Sequence, residues 1–363
     1  MARVYNFSAG PSTLPESVLK RAAAEMLEYG SYGQSVLEMS HRSKEYDEIF
    51  TGCVALLRKT MSIPDNYKVL FVGGGASMQF GMVPKNLMTV SGKADYIVSG
   101  QFSERAFKEA KLLGDAACAA SSKDDNFSRI PVLDKSKFNP TADYLHICQN
   151  NTIFGTRYAE LPDTGNVPLV SDMSSCILSE PFDVSKFGLI YAGAQKNMAP
   201  SGVCVVIIRD DLLEREPAPG TPTMLQYKTY AKNNSMYNTP PTYNIYMLGL
   251  VLEWIQNDIG GLEKMKLRNE KKAGVLYDYL DSTDFYKAPA AKEFRSIMNV
   301  TFVTGDADLD KKFVSEARAA GFYNLAGHRD VGGMRASIYN AMPPEGLDKL
   351  VEFMADFEKK NRR

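Results

Sequence analysis

Short apolar runs recur through the first two thirds of the chain, at Lys68 to Val72, Tyr96 to Val98, Tyr144 to Cys148, Val167 to Val170, Leu189 to Ala192 and Val203 to Ile208. Each reads as a β-strand. Amphipathic stretches such as Ser103 to Leu113 lie between some of them and read as helices. Strands alternating with helices favour a mainly parallel sheet covered on both faces, so the expected fold class is α/β. Ligands on such sheets bind at the carboxyl ends of the strands. The Gly73 loop, Phe102, Thr152, Asp172 and Lys196 each fall just after a predicted strand. Five candidates at one sheet edge carry more weight together than any one alone.

The last third has a different rhythm. Met224 to Asn244 is polar and rich in Tyr, Asn and Pro, and reads as an extended loop. A helix is expected from Tyr246 to Ile259, ended by Gly260-Gly261, and a charged amphipathic helix from Leu262 to Leu280. A strand at Ile297 to Val303 and helices at Asp308 to Ala320 and Gly346 to Lys359 complete the pattern. A chain of 363 residues suits two domains. The expected division is a large α/β domain over 16–257 and a smaller α+β domain built from 1–15 plus 258–363.

A net charge of -1 gives no bulk attraction to nucleic acid or an anionic membrane, so anion binding must come from local arginines. The apolar runs are strand-sized, and Met1 to Lys20 lacks the apolar core of a secretory signal. The 5 cysteines are dispersed without a C-x-x-C pair, which suggests free thiols in a reducing compartment and a cytoplasmic protein. Only 3 histidines are present, and no His, Cys or Asp spacing suits a metal. Cys148 and Cys204 lie in strand-like runs and read as small core residues, and His146 likewise reads as core.

Lys196 ends the stretch Gly188-Leu189-Ile190-Tyr191-Ala192-Gly193-Ala194-Gln195-Lys196, just before the run Val203 to Ile208. Desolvation disfavours the charged form of a buried amine, and a neutral amine can condense with an aldehyde. Upstream, Val167-Pro168-Leu169-Val170-Ser171-Asp172 reads as a buried strand ending in a carboxylate. Pyridoxal phosphate needs such a pair: an acid to keep its ring nitrogen protonated and a lysine for its aldehyde. The run Val69-Leu70-Phe71-Val72-Gly73-Gly74-Gly75-Ala76-Ser77 leads a strand through glycines into a helix starting near Ser77, and backbone amides there can bind phosphate. It fits neither a P-loop nor the dinucleotide fingerprint. His41-Arg42, His328-Arg329 and Arg335 suggest an anion pocket, because the arginine fork matches carboxylate and phosphate. Phe102 is placed to stack on an aromatic ring. Asn238-Thr239-Pro240-Pro241-Thr242 is a polar turn able to reach a phosphate. Each feature alone has a plainer reading: loop lysine, capping aspartate, tight turn, surface arginine, core phenylalanine. For Lys196 and Asp172, on successive apolar segments, the functional reading is favoured.

Together these residues resemble the phosphoserine aminotransferase family of fold-type-I, class-V pyridoxal-phosphate aminotransferases. The likeness runs nearly end to end, through Asn6-Phe7-Ser8-Ala9-Gly10-Pro11, Ser40-His41-Arg42, Gly73-Gly74-Gly75, Tyr191-Ala192-Gly193-Ala194-Gln195-Lys196-Asn197, Asn238-Thr239-Pro240-Pro241-Thr242, Gly327-His328-Arg329 and Gly332-Gly333-Met334-Arg335-Ala336-Ser337. It implies transamination between L-glutamate and 3-phosphohydroxypyruvate, giving O-phospho-L-serine and 2-oxoglutarate in serine biosynthesis. Some bacterial members also take 4-phosphohydroxythreonine in pyridoxine biosynthesis. By the same resemblance Lys196 is the Schiff-base lysine and proton carrier, Asp172 the ring-nitrogen partner, and Thr152 a donor near the ring hydroxyl. Ala76, Ser77 and Gln195 would hold the cofactor phosphate, with Asn238 and Thr239 from a neighbouring subunit of a homodimer. Arg335 would clamp the α-carboxylate. His41, Arg42, His328 and Arg329 would hold the distal anion, partly across the dimer interface. Two positions depart from the family: Phe102 stands where Trp is frequent, and Ala76-Ser77 where some members have Gly-Arg.

Two competing readings follow from the same residues. One is another fold-type-I enzyme, a cysteine desulfurase or a small amino-acid aminotransferase. Desulfurases of that group carry a stacking histidine and a cysteine on a mobile loop, whereas here Phe102 stacks and Cys148, Cys176 and Cys204 lie in or near strands. The other is a non-catalytic phosphate-binding protein built on the Gly73 loop.

Overall fold

The structure, a computed structural model, describes residues 3–329 and 331–362. Its strands in chain order are β1 Tyr5–Asn6, β2 Tyr67–Val72, β3 Lys93–Val98, β4 Asp115–Ser121, β5 Leu145–Cys148, β6 Asn150–Asn151, β7 Thr156–Arg157, β8 Leu169–Asp172, β9 Leu189–Gly193, β10 Cys204–Arg209, β11 Asn299–Phe302, β12 Phe322–Tyr323 and β13 Met334–Ser337. The main sheet has 7 strands in the order β2-β10-β9-β8-β5-β3-β4. β10 runs antiparallel to β2 and β9, and the other pairings are parallel. The expected mainly parallel α/β sheet is therefore present.

The two-residue period of a strand explains why this sheet is covered twice. In β10, Val205 and Ile207 pack into one apolar cluster while Cys204, Val206 and Ile208 pack into another. In β9, Ile190 and Ala192 face the first cluster, and Leu189 and Tyr191 the second. Helix Lys44–Met61 and helix Thr242–Trp254 cover the first face, and helix Gly75–Leu87 and helix Gln101–Lys111 the second. A third apolar cluster draws Phe7 from the N-terminal segment together with residues from Ala273 to Phe357. It includes the antiparallel pair β11–β13, while the neighbouring parallel pair β1–β12 contributes Phe322. Helix Leu262–Ser282 spans the seam, with Leu262 and Met265 in the first cluster and Ala273, Leu276 and Leu280 in the third.

Three local features differ from the sequence expectation. β4 has the sequence Asp-Ala-Ala-Cys-Ala-Ala-Ser and is largely exposed at the sheet edge, so it lacks the apolar density that marks a strand. The expected loop from Met224 to Asn244 contains a helix, Tyr227–Lys232. Its polar-looking tyrosines are buried, and the Tyr227 hydroxyl donates to Gln79 Oε1 at 2.6 Å. The helix expected from Tyr246 begins at Thr242 and continues past Trp254 as wider π-type turns, Ile255–Ile259. It stops at Gly260, whose φ of 87° is the left-handed cap expected of the glycine pair.

The third cluster is dominated by aromatic rings. Phe313 is fully buried and lies between 5.1 and 5.9 Å, centroid to centroid, from Phe357, Phe353, Phe302 and Tyr286. Phe313→Ala removes the ring on which these four converge. The expected outcome is a loss of about 3–5 kcal/mol of unfolding free energy, read from denaturant titration, with the far-ultraviolet spectrum of the folded state unchanged.

Candidate active site

Parallel pairing gathers the strand ends at one edge of the sheet. A cavity of ≈ 430 Å³ lies there, lined among others by Gly74, Phe102, Thr152, Asp172 and Lys196. Ala76, Ser77, Gln195, His328 and Arg335 also line it.

Asp172 is the last residue of β8 and is 5% exposed. Its Oδ1 accepts the Ser174 backbone N–H at 2.8 Å. In register it sits between Cys148 on β5 and Tyr191 on β9. Burial pushes its carboxyl pKa up, while the Lys196 charge, the Ser174 donors and the Tyr191 hydroxyl pull the other way. These opposing influences describe a buried acid whose ionised form rests on neighbouring donors and a cation.

Lys196 follows β9 in a tight turn and is half-buried. Its Nζ donates to Thr152 Oγ1 at 3.0 Å and lies 5.5 Å from the Phe102 ring centre. Arg335 Nη1 donates to the Thr152 carbonyl at 3.3 Å. One residue thus meets an amine from the large sheet and a guanidinium from β13. The N-terminal segment closes the other side. Ser12 N–H donates to the Gln195 carbonyl at 2.9 Å, and the Ser12 hydroxyl donates to the Lys196 carbonyl. A Cβ on Gly10 would stand 3.5 Å from both the Gln195 and Lys196 side chains.

The glycine loop is shaped by need. Gly74 has φ 84°, and a Cβ there would meet Met78 Cε at 2.4 Å. The helix that follows begins at Gly75 rather than near Ser77, has no side-chain cap and has no acidic residue in its first turn. Its first amides are therefore open to an anion. At the next strand end, a Cβ on Gly100 would lie 2.6 Å from Asn151 Oδ1, so only glycine lets helix Gln101–Lys111 bring Phe102 to the cavity.

The turn from Gly327 to Gly333 carries His328 and Arg329 and leads into β13, which carries Arg335. Gly327 N–H donates to the Gly333 carbonyl at 2.9 Å, and Gly332 N–H to the His328 carbonyl at 2.8 Å. A Cβ on Gly333 would strike Val303 at 2.6 Å. The packing leaves Arg335 half-buried beside Thr152. Burial lowers its pKa, yet a guanidinium stays charged at any physiological pH. His328 and Arg335 also line a second cavity of ≈ 450 Å³.

Not every expected residue reaches this cavity. His41, Arg42, Asn238, Thr239 and Arg329 are absent from its lining. Asn238, Thr239, Arg42 and Arg329 are exposed, and Arg42 Nε contacts His41 Nε2 at 3.4 Å. Conversely, Gly10, Cys148, Asn150, Ser174 and Ser175 line the cavity without having been expected there. Four of these five stand at or just after a strand end, a signal the sequence carries; Gly10 arrives through long-range packing, which it does not. Cys148 is the buried last residue of β5, and burial, helped by the Asp172 charge, pushes its thiol pKa well up. That protonated thiol does not suit a sulfur-transferring nucleophile.

Beyond Lys196, a buried polar network fixes the turn. Asn197 Nδ2 donates to the Ile177 carbonyl at 3.0 Å, and its Oδ1 accepts Asn340 N–H at 3.0 Å. Asn340 Nδ2 donates to the Leu178 carbonyl at 2.8 Å, and its Oδ1 accepts from Asn269 at 2.8 Å. The buried Lys272 donates to the carbonyls of Ile338, at 2.8 Å, and Tyr339, at 2.7 Å. Burial, with Arg268 nearby, lowers the Lys272 pKa.

A sheet edge presenting a buried acid, an amine and an uncapped helix start is the geometry of a fold-type-I transferase. Residues 4–350 match the profile of the family Aminotransferase class-V, and the chain belongs to that family. Relatives about half identical over the full chain include phosphoserine aminotransferases. That of Lysinibacillus sphaericus (strain C3-41) is 54% identical over 361 residues, covering 99% of both chains, and that of Nitrosomonas europaea is 53% identical over 366 residues, again covering 99% of each. Among solved structures, phosphoserine aminotransferase from Bacillus circulans subsp. alkalophilus superposes with a TM-score of 0.95 at 48% identity, covering 99% of each chain. The pyridoxal-phosphate-bound phosphoserine aminotransferase of Trichomonas vaginalis gives 0.93 at 39% identity, covering 97% of this chain and 100% of that one.

Thr152→Val keeps the branched shape but removes the acceptor for Lys196 Nζ. The expected outcome is a fall in kcat/KM of roughly tenfold, about 1.4 kcal/mol, with an unchanged melting temperature, measured by steady-state kinetics and calorimetry.

Proposed function

We propose that this protein is a pyridoxal-phosphate-dependent aminotransferase that exchanges the amino group of L-glutamate with 3-phosphohydroxypyruvate, giving O-phospho-L-serine and 2-oxoglutarate. The observation that carries it is the convergence of Lys196, Asp172 and Arg335 on one cavity beside an uncapped helix start. The names of its full-length relatives support the substrate, and the cofactor-bound relative supports the cofactor. The residues present fit the group: a buried acid for a ring nitrogen, an amine for an aldehyde, open amides for a phosphate and an aromatic face at Phe102.

Bound there, pyridoxal phosphate would supply an aldehyde that condenses with amines and a protonated ring that draws electrons from the amino acid's α-carbon. Asp172 would hold the proton on the ring nitrogen, and its ionised form is favoured by the donors around it. Phe102 would cover one ring face. The amides and hydroxyl of Ala76 and Ser77, with Gln195, would hold the phosphate. Thr152 steadies the Lys196 amine, which would carry a proton between the substrate α-carbon and C4′ of the ring. Arg335 would grip the α-carboxylate and turn the α-hydrogen towards that amine.

Glutamate and phosphoserine differ at the far end, a carboxylate in one and a phosphate in the other. Arginine accepts both because its fork fits either anion. His41, Arg42, His328 and Arg329 would serve that end, partly across a homodimer interface; of the four, His328 lines this chain's own cavity. Asn238 and Thr239 would likewise reach the cofactor phosphate across a homodimer interface. Their position away from this chain's own cavity supports such sharing, as do the exposed Leu27, Leu37 and Tyr237 near these segments. The same reading divides the chain into a large domain, 16–257, and a small one, 1–15 plus 258–363; the third apolar cluster, which unites Phe7 with residues after Ala273, supports it. The cytoplasm is the proposed location. Among the described residues no helix is long and apolar enough to cross a membrane.

The visible absorption spectrum tests this function. Protein reconstituted with pyridoxal phosphate should be yellow, L-phosphoserine should bleach it, and L-serine at the same concentration should not. A colourless preparation overturns the role of Lys196, and a yellow one indifferent to phosphoserine overturns the substrate. Lys196→Ala should abolish turnover while leaving the fold intact by circular dichroism; a protein that only bound phosphate would keep its ligand affinity in that variant.

A further inference from the structure

A chain of buried side-chain hydrogen bonds runs from the cavity floor to the N-terminal segment, and the reaction described above does not use it. Its members Ser296, Asn150, Asn299, Ser337 and Tyr339 are each no more than 2% exposed. Its direction follows from the backbone. Ser296 Oγ accepts the N–H groups of Met298 and Asn299, each at 3.0 Å, so its own hydrogen goes to Asn150 Oδ1 at 2.5 Å. The Asn150 amide nitrogen is thereby turned to Ser175 Oγ at 2.8 Å and to Asn299 Oδ1 at 2.9 Å. Asn299 Nδ2 gives its two hydrogens to Ser337 Oγ at 2.9 Å and to the Tyr339 hydroxyl oxygen at 3.2 Å. Tyr339 in turn donates to the Ala9 carbonyl at 2.9 Å.

Both ends of this chain meet the cavity, because Asn150, Ala9 and Gly10 line it. Ala9 is half-buried and Gly10 exposed, so bonds rather than burial must fix this stretch. Phe7, fully buried in the third cluster, anchors one side of it. Ser12, bonded to the carbonyls of Gln195 and Lys196, anchors the other. Between these anchors the Tyr339 hydroxyl holds the Ala9 carbonyl. The Gly10 backbone then lies close to the stem of Lys196, where even a Cβ on Gly10 would stand 3.5 Å from Lys196 Cγ. The Ser337 branch of the same Asn299 amide runs to β13 instead. A buried network whose hydrogens each find an acceptor holds its members more tightly than isolated bonds would.

We propose that Asn299 and Tyr339 are positioning residues for amino-group transfer: they hold the strap formed by Ala9 and Gly10 against Lys196, and the strap sets the aim of the amine. The assignment rests on the function proposed above. The strap narrows the arc open to the Lys196 stem, so the amine meets the substrate α-hydrogen in one geometry rather than several. Loss of the Tyr339 hydroxyl leaves the Ala9 carbonyl without this donor and Asn299 with a hydrogen to place elsewhere. Arg335 keeps its bond to the Thr152 carbonyl, so proton movement should suffer before substrate binding does.

The first arm of the test needs no cofactor. In the cofactor-free protein, Tyr339→Phe should speed hydrogen exchange at the Ser12 amide about tenfold over wild type. The second arm follows bleaching of the pyridoxal-phosphate-loaded protein by L-phosphoserine in a single turnover. Its rate at saturation should fall about tenfold while the half-saturating concentration stays as in wild type. A folding defect would instead shrink the fraction that bleaches and leave the rate of the rest intact. Ser337→Ala, which removes the other acceptor of the same Asn299 amide, should change neither reading. If Tyr339→Phe does not fold, Tyr339→3-fluorotyrosine, a stronger donor of nearly the same shape, should slow the exchange. Unchanged exchange in a folded variant overturns the tie. Faster exchange with unchanged bleaching, or a change confined to the half-saturating concentration, overturns the role in transfer. An equal response to Ser337→Ala overturns the route through Tyr339. A wild-type protein that phosphoserine does not bleach overturns the proposed function and the role in transfer with it, while the exchange arm still decides the tie.

Discussion

Parallel pairing of β8 with β5 on one side and β9 on the other decides where Asp172 stands. A carboxylate at the end of a central strand has lost most of its water, and the cost of ionising it rises with that loss. The surrounding sequence answers locally, with Ser174 two residues on and Lys196 just past the next strand. The sheet thus places an acid where solvent will not keep it charged and supplies substitutes for solvent from the adjacent strand ends. Antiparallel hairpins would scatter these ends over both edges. Here neither the reversed strand, β10, nor the residues shortly after it line the cavity, and of the other main-sheet strands the edge strand β4 alone shares that absence.

Periodicity carries far in this chain. The strands around Asp172 and Lys196 were legible because their residues are apolar on both faces, and that density survives in one dimension. β4 was not, because an alanine-rich edge strand owes its state to hydrogen bonds with β3 rather than to burial. The helix Tyr227–Lys232 was hidden for a related reason. Tyrosine and threonine look polar in sequence, but its tyrosines pack into the second cluster and find partners there.

Lys196, Asp172, Thr152, Phe102 and Ser77 could be read because each follows a strand. Gly10, which lines the cavity, and Ser12, which bonds the Lys196 turn, could not, since they dock across more than half the chain, and no local pattern marks such a segment. His146 illustrates a different blindness. A lone histidine in an apolar strand reads as core, which its burial bears out, yet its hydrogen-bond partner is a tyrosine two strands away.

The bond from Asn340 N–H to Asn197 joins the segment after β13 to the residue next to Lys196, and Lys272 and Asn269 brace that junction from helix Leu262–Ser282. The third cluster is therefore tied to the large sheet right beside the Lys196 turn. Packing far from any ligand thereby reaches the cavity floor: a disturbance at Asn340 or Lys272 would be passed to Lys196 through its own chain neighbour, Asn197.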